Sequence, residues 1–430
     1  MSSVARHRGT PGVVPYNPGM SSFAYTDATL TCDGLPLPAL AERFGTPLYI
    51  YSAATIRERV ARIKAAFQAL NPELYYAVKA NGNLSILKLL RAEGVGFDIV
   101  SGGELARALA AGADPARIAF AGVGKTAAEM AAALDAGVGW FNAESADELG
   151  RLNALASARG RRARVALRLN PDVEPDTHRH IRTGGAASKF GLPLDQAHAI
   201  VHGWGVYPAL DLAGAHIHIG SQMAGAGPWR AALDAMLEFV AAYPSITHVD
   251  LGGGLPVSYT DAPAPEPAVF AGPIVERLQP LDGRLSIGLE PGRYLVAESG
   301  VLVTEVQALK TMGGRRMAVV DTGMHHLIRP MLYEAVHRIQ PVRAGGAAGP
   351  TDVVGPICES TDVLGREVTL PDLTVGDLLA VRDAGAYGFS MASNYNAQPF
   401  AAEVLLDGAT ARVIARRQEL AEIWARESRG

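Results

Sequence analysis

Residues 73–122 read ELYYAVKANGNLSILKLLRAEGVGFDIVSGGELARALAAGADPARIAFAG, and this stretch decides the fold class. Short runs rich in β-branched and aromatic residues alternate in it with Ala- and Leu-rich segments of helical period, which is typical of parallel strands joined by helices. The alternation extends over residues 47–292 and supplies eight candidate strands: ELYYAVKA, FDIVS, RIAFAG, WFNAES, RVALRLN, AGAHIHIG, THVDLGGG and LSIGLEPG. Eight parallel strands predict an α/β fold, a (β/α)8 TIM-like barrel over residues 47–294.

Signals at the ends of the intervening helices support this prediction. Two capping boxes at helix starts and three glycines at helix ends are expected: Thr126 with Glu129, Ser145 with Glu148, and Gly94, Gly112 and Gly137.

The pattern of predicted secondary structure changes after about residue 295. Segments such as VLVTEVQALK and RMAVVDTG are rich in strand-forming residues and lack alternating helices, so a C-terminal β-domain is predicted over residues 295–430. The strand-like region 23–46 is expected to join it, because the ends of a discontinuous domain usually lie close together. Residues 1–22, which contain several Pro and Gly, are expected to form a flexible lead-in.

Composition and charge narrow the functional classes. The 430-residue chain is 48% hydrophobic and 19% charged, with a formal net charge of −4, so no nucleic-acid partner is expected. The apolar stretches stop short of the roughly 18 residues that a membrane helix needs, and the N-terminus lacks the apolar segment of a secretory signal. No membrane partner and a cytoplasmic location are therefore expected. Cys32 and Cys358 show no metal-binding spacing, so no disulfide framework and no metal site are predicted.

Unusual polar residues follow the predicted barrel strands, where active sites of such barrels are built. They are Lys79, Asp98, Ser101, Glu144, Asn170, His218, Ser221, Gly252 to Gly254, and Glu290 to Arg293. Lys79 lies in an otherwise apolar strand, where a lysine either extends its amine to solvent or serves as a Schiff-base lysine with a lowered amine pKa. Two glycine-bearing loops after the last two strands indicate a phosphate site.

Eight sequence motifs together indicate a protein family. YYAVKAN, FDIVSGGEL, HIHIGSQ, VDLGGGL, EPGR, LIRPMLY, GPICEST and GAYGFSMASNYN occur in this order over about residues 23–420. Together they closely resemble the diaminopimelate decarboxylases, which have the alanine-racemase-like fold of pyridoxal-phosphate enzymes. The resemblance implies pyridoxal 5'-phosphate as cofactor and conversion of meso-2,6-diaminopimelate to L-lysine and CO2, the last step of lysine biosynthesis.

The resemblance also implies roles at the cofactor. Lys79 forms the Schiff base, His218 stacks on the pyridine ring, Ser221 with Gly253 and Gly254 binds phosphate, and Glu290 pairs with the pyridine nitrogen. A carboxylate at that nitrogen keeps it protonated and strengthens the electron sink, whereas racemases of the fold place an arginine there. The remaining residues expected to bind cofactor are Asp98, Gly252, Pro291, Gly292, Arg293 and Tyr387.

For the substrate, the resemblance assigns Arg293, Arg329, Tyr333, Glu359 and Tyr387. Arginines suit the distal carboxylate of diaminopimelate, and Glu359 suits its distal ammonium. The family places Cys358 and Glu359 across the interface of a homodimer, where they complete the partner's site and Cys358 protonates the carbanion. From the residues alone, Cys358 could equally be an inert core residue and Tyr387 a core aromatic.

Several alternatives stay open at this point. Asp98 and Glu144 could orient site groups or merely pair with neighbours, and His216 is expected to point away from the site. A decarboxylase acting on ornithine, arginine or a carrier-bound amino acid is the main rival function. A noncatalytic pyridoxal-phosphate carrier would not need the C-terminal motifs, and a racemase is opposed by Glu290. Departures from the family pattern at residues 184–187 and 397–401 affect the expected fine specificity.

Overall fold

The computed structural model describes residues 22–173 and 188–427. Nearly all of the predicted lead-in and the altered segment 184–187 therefore lie outside the described residues. Within the described ranges, no helix combines the length and apolar character needed to cross a membrane.

The first described element is a small antiparallel sheet of three strands, β1 (Phe23–Thr26), β2 (Thr29–Cys32) and β3 (Leu35–Pro36). Helix α1 (Leu37–Phe44) and strand β4 (Leu48–Ser52) follow. The buried side chains of this region share one hydrophobic core with residues of the C-terminal β-domain.

This N-terminal sheet is also hydrogen-bonded to the β-domain. Leu30 donates its backbone N–H to the carbonyl of Val342 at 2.8 Å, and Ala344 donates to the carbonyl of Ala28 at 2.7 Å. The prediction that the N-terminal strand region joins the β-domain is confirmed, although the region does so as a sheet of its own.

Eight parallel strands form the barrel, and pairing between the fourth and fifth of them closes it. They are β5 (Glu73–Ala77), β6 (Gly96–Ile99), β7 (Ile118–Phe120), β8 (Trp140–Ala143), β9 (Ala163–Asn170), β11 (Leu210–His216), β12 (His248–Asp250) and β13 (Ser286–Leu289), and a short β10 (Leu192–Pro193) pairs with the end of β9. These are the eight strands that the sequence predicts, in the predicted order.

The helices of the barrel region precede, separate and follow these strands. They are α2 (Ala53–Ala66), α3 (Leu84–Ala92), α4 (Gly102–Ala110), α5 (Ala127–Ala136), α6 (Ala146–Ala158), α7 (Leu194–His202), α8 (Gly227–Ala241), α9 (Pro267–Leu278) and the short α10 (Arg293–Val296). The capping box of Thr126 with Glu129 is fully formed. The second is only half formed, because Ser145 accepts from the Glu148 N–H while the Glu148 carboxylate binds Lys125 and the Glu144 N–H.

The C-terminal β-domain surrounds one long strand. Its elements are β14 (Gly300–Met312), β15 (Arg315–Val320), α11 (Arg329–Tyr333), β16 (Ile339–Pro341), β17 (Ala348–Val354), β18 (Val363–Pro371), β19 (Leu378–Val381), β20 (Ala402–Asp407), β21 (Thr410–Ala415) and α12 (Leu420–Ile423). Strand β14 follows the barrel in the chain and pairs with β15, β19 and β4. It therefore connects the barrel to the sheet of the β-domain.

Strand β4 differs from the sequence prediction, which assigned it to the barrel. It pairs antiparallel with β14 and parallel with β20, so it lies in the sheet of the β-domain. All five of its residues are buried, and a fully buried strand has the same uninterrupted apolar pattern in either sheet. We propose that the barrel begins at Ala53.

Candidate active site

Lys79 lies in a single helical turn that directly follows β5. Its Nζ donates to Asp98 Oδ2 at 2.8 Å, at the end of β6. The turn is tied to the β-domain, because Tyr387 donates its backbone N–H to the carbonyl of Ala80 at 2.8 Å and Asn81 donates its side-chain amide to the carbonyl of Gly385 at 3.1 Å. The barrel and the β-domain therefore meet at the lysine.

The charge on Lys79 differs from the sequence expectation. Burial lowers the pKa of the amine, but the neighbouring Asp98, Tyr387 and Glu290 together raise it above its ordinary value. The expected lowering is therefore wrong for this arrangement, because the amine is ion-paired. Burial and the charge of Glu290 raise the pKa of Asp98, and the ion pair with Lys79 opposes this increase.

Glu290 follows β13 and is held by two buried side chains. Its Oε2 lies 3.0 Å from His216 Nε2, and its Oε1 accepts from Asn142 Nδ2 at 3.2 Å. Burial raises the pKa of Glu290, but His216, Lys79 and His218 outweigh burial and lower it to about 2. Glu290 is thus an ionised carboxylate at neutral pH.

His216 was assigned to the wrong face of its strand. Residues two apart in a strand share a face, so His216 points into the barrel toward Glu290 rather than away from the site. Donor atoms of His216, Asp250 and Glu290 lie within 4.8 Å of one another, a spacing that would admit a metal ion. The hydrogen bond between His216 and Glu290 already engages two of the three groups, and this favours a role in holding Glu290.

His218 is a neutral ring in this site. Its Nδ1 accepts from the backbone N–H of Gly253 at 3.0 Å, which leaves the ring proton on Nε2. Burial, with the positive charges of Arg168 and Lys79, lowers the pKa of His218 to about 3. A flat neutral ring is suited to stacking on a planar cofactor.

The glycine loops are too tightly packed for side chains. A Cβ on Gly253 would lie 2.4 Å from the carbonyl oxygen of Glu290, and one on Gly252 would lie 2.5 Å from that of Ile217. Gly254 has a φ of 124°, which also favours glycine. The two loops therefore approach each other closely and keep their backbone free of side chains, as phosphate cradles do.

One cavity brings most of the predicted cofactor residues together. It is lined by Ala77, Lys79, His218, Ser221, Gly253, Gly254, Leu255, Glu290, Pro291, Gly292, Arg293, Tyr294 and Tyr387. Tyr387 is half-buried and faces this cavity, so it is not simply a core aromatic. Asp98 and Gly252 adjoin the cavity through their contacts with Lys79 and His218.

Two predicted substrate arginines meet around a tyrosine that the sequence prediction missed. Arg293 donates to Ser221 Oγ at 3.2 Å and to Tyr259 Oη at 2.9 Å, and its guanidinium lies 4.7 Å from the centre of the Tyr387 ring. The Arg329 guanidinium lies 4.5 Å from the centre of the Tyr259 ring. Tyr259 lies in the loop after β12, just beyond the glycine motif, and no strand-end rule singles it out.

Arg329 is supported by a second residue that was missed. Its Nη1 lies 2.7 Å from His337 Nε2, while His337 Nδ1 lies 2.8 Å from the carbonyl of Arg382. Burial and the charge of Arg329 lower the pKa of His337 to about 3, so the neutral ring donates from Nδ1 and accepts from Arg329. Tyr333, at the end of α11, is close enough to affect the pKa of both Arg293 and Arg329.

Cys358 and Glu359 are not brought to Lys79 within one chain. Both are exposed, and neither lines the Lys79 cavity. The alternative that Cys358 is a core residue is therefore wrong. Glu144 pairs with a neighbour, since Arg168 donates to it at 2.9 Å and Gly191 donates its N–H at 2.9 Å.

The residues of the Lys79 cavity fit pyridoxal phosphate. An amine, an ionised carboxylate, a neutral imidazole and two side-chain-free loops match its aldehyde, pyridine nitrogen, ring and phosphate. In addition, Asp98 Oδ1, beside the lysine, is buried and has no hydrogen-bond partner among the described residues, as expected where a further polar group binds.

Comparison with known proteins agrees with this geometry. Residues 53–297 match the family described as pyridoxal-dependent decarboxylase, pyridoxal binding domain, and the match starts directly after β4. Diaminopimelate decarboxylase of Neisseria meningitidis serogroup B is 47% identical over 406 residues, covering 93% of this chain and 97% of the relative. That of Pseudomonas aeruginosa is 46% identical over 414 residues, covering 95% and 99%.

Solved structures give the same result. Diaminopimelate decarboxylase from Helicobacter pylori complexed with L-lysine superposes with a TM-score of 0.86 at 37% identity, covering 91% of this chain and 99% of that one. The Vibrio vulnificus lysine/ornithine decarboxylase complexed with putrescine has a TM-score of 0.77 at 25% identity, covering 86% and 97%. The chain therefore belongs to the diaminopimelate decarboxylase family of pyridoxal-phosphate-dependent decarboxylases.

Proposed function

We propose that this protein decarboxylates meso-2,6-diaminopimelate to L-lysine and CO2, the last step of lysine biosynthesis. The observation that carries this substrate is the pair of guanidinium groups, Arg293 and Arg329. Arg293 packs on Tyr387 in the Lys79 cavity, and Arg329 packs on Tyr259, which is hydrogen-bonded to Arg293. Two fixed guanidiniums provide a site for a second carboxylate, which diaminopimelate has and ornithine lacks.

The residues proposed to bind pyridoxal phosphate each have a separate role. Lys79 would hold pyridoxal phosphate covalently until the substrate amine replaces it, and the cofactor would then supply an electron sink for the pair released when the carboxylate leaves. Glu290 holds a proton at the pyridine nitrogen, because its lowered pKa keeps it anionic. His218 would pack on the ring, and Ser221 with the Gly253–Gly254 backbone would hold the phosphate, since all of these residues line the Lys79 cavity. Asp98 accepts a hydrogen bond from the Lys79 amine at 2.8 Å and so orients it in the cavity.

Substrate selection follows from the arginine pair. Arg293 is itself held by Ser221 and Tyr259, and Arg329 by His337, so neither guanidinium has to be ordered when substrate binds. An amino acid without a distal carboxylate would leave two buried cations without an anion, which is a strong penalty. This favours diaminopimelate over ornithine, the substrate class of the main rival function.

The second half of the site comes from a second copy of the chain. We propose a homodimer in which Cys358 and Glu359 of each chain enter the Lys79 site of the other. Their exposure supports this, because a proton donor and an ammonium partner must be covered in the working enzyme. Glu359 pairs with the distal ammonium of the substrate, and Cys358 gives its proton to the α-carbon after CO2 leaves.

The first test measures release of CO2 and lysine from meso-diaminopimelate by the purified protein with pyridoxal phosphate. Ornithine and arginine are assayed in parallel. Lysine formed from diaminopimelate, with little turnover of the other two, is the expected result. Turnover of ornithine or arginine in preference to diaminopimelate would overturn the substrate assignment.

The dimer and the compartment have their own tests. Sedimentation and activity, both measured at decreasing protein concentration, are expected to show that activity is lost as the dimer dissociates. Full activity in a monomer would contradict the shared site.

We also infer a cytoplasmic location, supported by two free thiols, Cys32 and Cys358, which are typical of a reducing compartment. Cell fractionation should find the protein in the cytosolic fraction.

A further inference from the structure

One buried carboxylate outside the Lys79 site joins two segments that carry predicted substrate residues. Asp362 is 3% exposed and ends the segment 355–362, GPICESTD, which connects β17 to β18 and is called the arm below. Its Oδ1 accepts the backbone N–H of Met324 at 2.6 Å, and its Oδ2 accepts that of Ile357 at 2.8 Å. Ile357 directly precedes Cys358.

The arm is also closed on itself by backbone hydrogen bonds. Gly355 donates its N–H to the carbonyl of Asp362 at 2.9 Å, and Asp362 donates to the carbonyl of Glu359 at 3.1 Å. The two ends of the arm are therefore joined, and the Asp362 carboxylate fills the space inside the loop.

The packing around this carboxylate leaves no room for another side chain. A Cβ on Gly323 would lie 2.5 Å from each Asp362 oxygen, and a Cβ on Gly355 would lie 2.2 Å from Oδ2. Two segments of glycine backbone thus enclose the carboxylate, and its position is set by contacts as well as by hydrogen bonds.

The tip of the arm rests on the segment that follows the Tyr387 motif. Cys358 donates its backbone N–H to Asn396 Oδ1 at 3.1 Å, and Tyr395 donates its hydroxyl to Glu359 Oε1 at 2.5 Å. These contacts are exposed, unlike those of Asp362. The buried carboxylate at the base is therefore the stronger of the two supports.

We propose that Asp362 is a positioning residue for the reaction in the partner's active site, because it sets the arm that presents Cys358 and Glu359 to that site. The inference rests on the proposed function and on the shared dimeric site. The contact with Met324 gives an alternative route, since that segment leads to Arg329 in the chain's own site. The experiment separates the two routes.

An Asp362→Asn variant removes one of the two acceptors. The amide offers one oxygen and places N–H donors opposite a backbone N–H, so one end of the clamp is released. Small displacements of positioned groups are costly, and we expect kcat/KM for diaminopimelate to fall about tenfold to hundredfold. The absorption of the lysine-bound cofactor should stay that of the wild type, because Asp362 does not line the Lys79 cavity.

Mixed dimers test which site Asp362 serves. Asp362→Asn and Lys79→Ala chains with different affinity tags are co-expressed, and the heterodimer is purified through both tags. One of its two sites combines an intact Lys79 with the intact arm of the Lys79→Ala chain. We expect this site to work at the wild-type kcat/KM, so that the heterodimer shows half the wild-type activity.

A heterodimer no more active than the Asp362→Asn homodimer would overturn the inference and assign Asp362 to its own chain's site. If the wild-type protein were an active monomer, the shared site would not exist and the inference would be overturned. If the wild type decarboxylates a different amino acid, the proposed function fails alone, and the mixed-dimer comparison is made with that amino acid.

Two further variants guard against a merely structural effect. Asp352→Asn is a matched control, because Asp352 is 2% exposed and, outside the arm, accepts the Glu367 N–H over a distance of 2.8 Å. This variant should lower the melting temperature and leave kcat/KM unchanged.

Asn396→Gly tests the tip of the arm without disturbing the buried base, since glycine tolerates the φ of 55° found at this position. It should give a smaller loss that is likewise rescued in the mixed dimer; no rescue would contradict the inference.

Discussion

The two halves of the proposed site are held in different ways. Lys79, His218 and Glu290 each have a hydrogen-bond partner inside their own chain and lie in or beside the barrel. Cys358 and Glu359 are exposed, and they are hydrogen-bonded to Asn396 and Tyr395 of a neighbouring segment. A single chain therefore brings the proposed cofactor residues together, whereas in the proposed dimer Cys358 and Glu359 would complete the substrate half from a second chain. Cofactor binding and turnover should be separable by mutation.

The largest effect is expected at the lysine. Lys79→Ala should reduce turnover by on the order of 10⁴-fold or more, because no other described group in the cavity can hold the cofactor covalently. Lys79→Arg is the matched variant, since it keeps a cation beside Asp98 but cannot form the covalent bond. Measurable turnover by either variant above the uncatalysed rate would break the assignment of the barrel half.

Glu290→Gln should come next, with kcat reduced about 10²- to 10³-fold. A neutral amide cannot hold the proton at the pyridine nitrogen, so stabilisation of the developing charge is lost. Steady-state kinetics with titration of the cofactor should show that binding is largely retained. If kcat were unchanged, Glu290 would have no electronic role.

Glu359→Gln should act on the substrate half alone. We expect the KM for diaminopimelate to rise about tenfold, because a hydrogen bond to a charged group is lost. The absorption of the bound cofactor should not change. A change in cofactor absorption comparable to that of the barrel variants would erase the distinction between the halves.

The smallest effect concerns stability and pH. The pKa of His218 is lowered to about 3 from an ordinary 6.5, so the unfolded chain binds more protons than the folded one between these values. This contribution to the free energy of unfolding is complete above pH 6.5 and is lost as the pH falls toward 3. Denaturant titrations of cofactor-free protein should show a shallower loss for His218→Gln than for the wild type.

Glu359→Gln is the control for this measurement, because Glu359 is exposed and belongs to the arm. Its pH dependence should match that of the wild type. An equal flattening in both variants would show that the slope does not come from the buried ring.

Much of the cofactor half could be predicted from the sequence. Lys79 is a charge in an apolar strand, and glycine loops follow two strands, so each signal is local. His216 was missed through an incorrect strand period, although the signal was present in HIHIGSQ. Tyr259 and His337 gave no comparable signal, because each matters through a side-chain contact with an arginine that no linear pattern reveals.

By itself, the sequence determined the eight barrel strands, the lysine that ends the first and the family to which the chain belongs. These features depend on residue patterns within short segments and on motifs that are recognisable in the sequence alone. Only the tertiary structure decided that β4 lies in the second sheet, that one tyrosine lies between two arginines, and that Asp362 joins the arm to Met324. The physical reason is that these features are contacts between distant segments, which packing and hydrogen bonding select and local propensity does not.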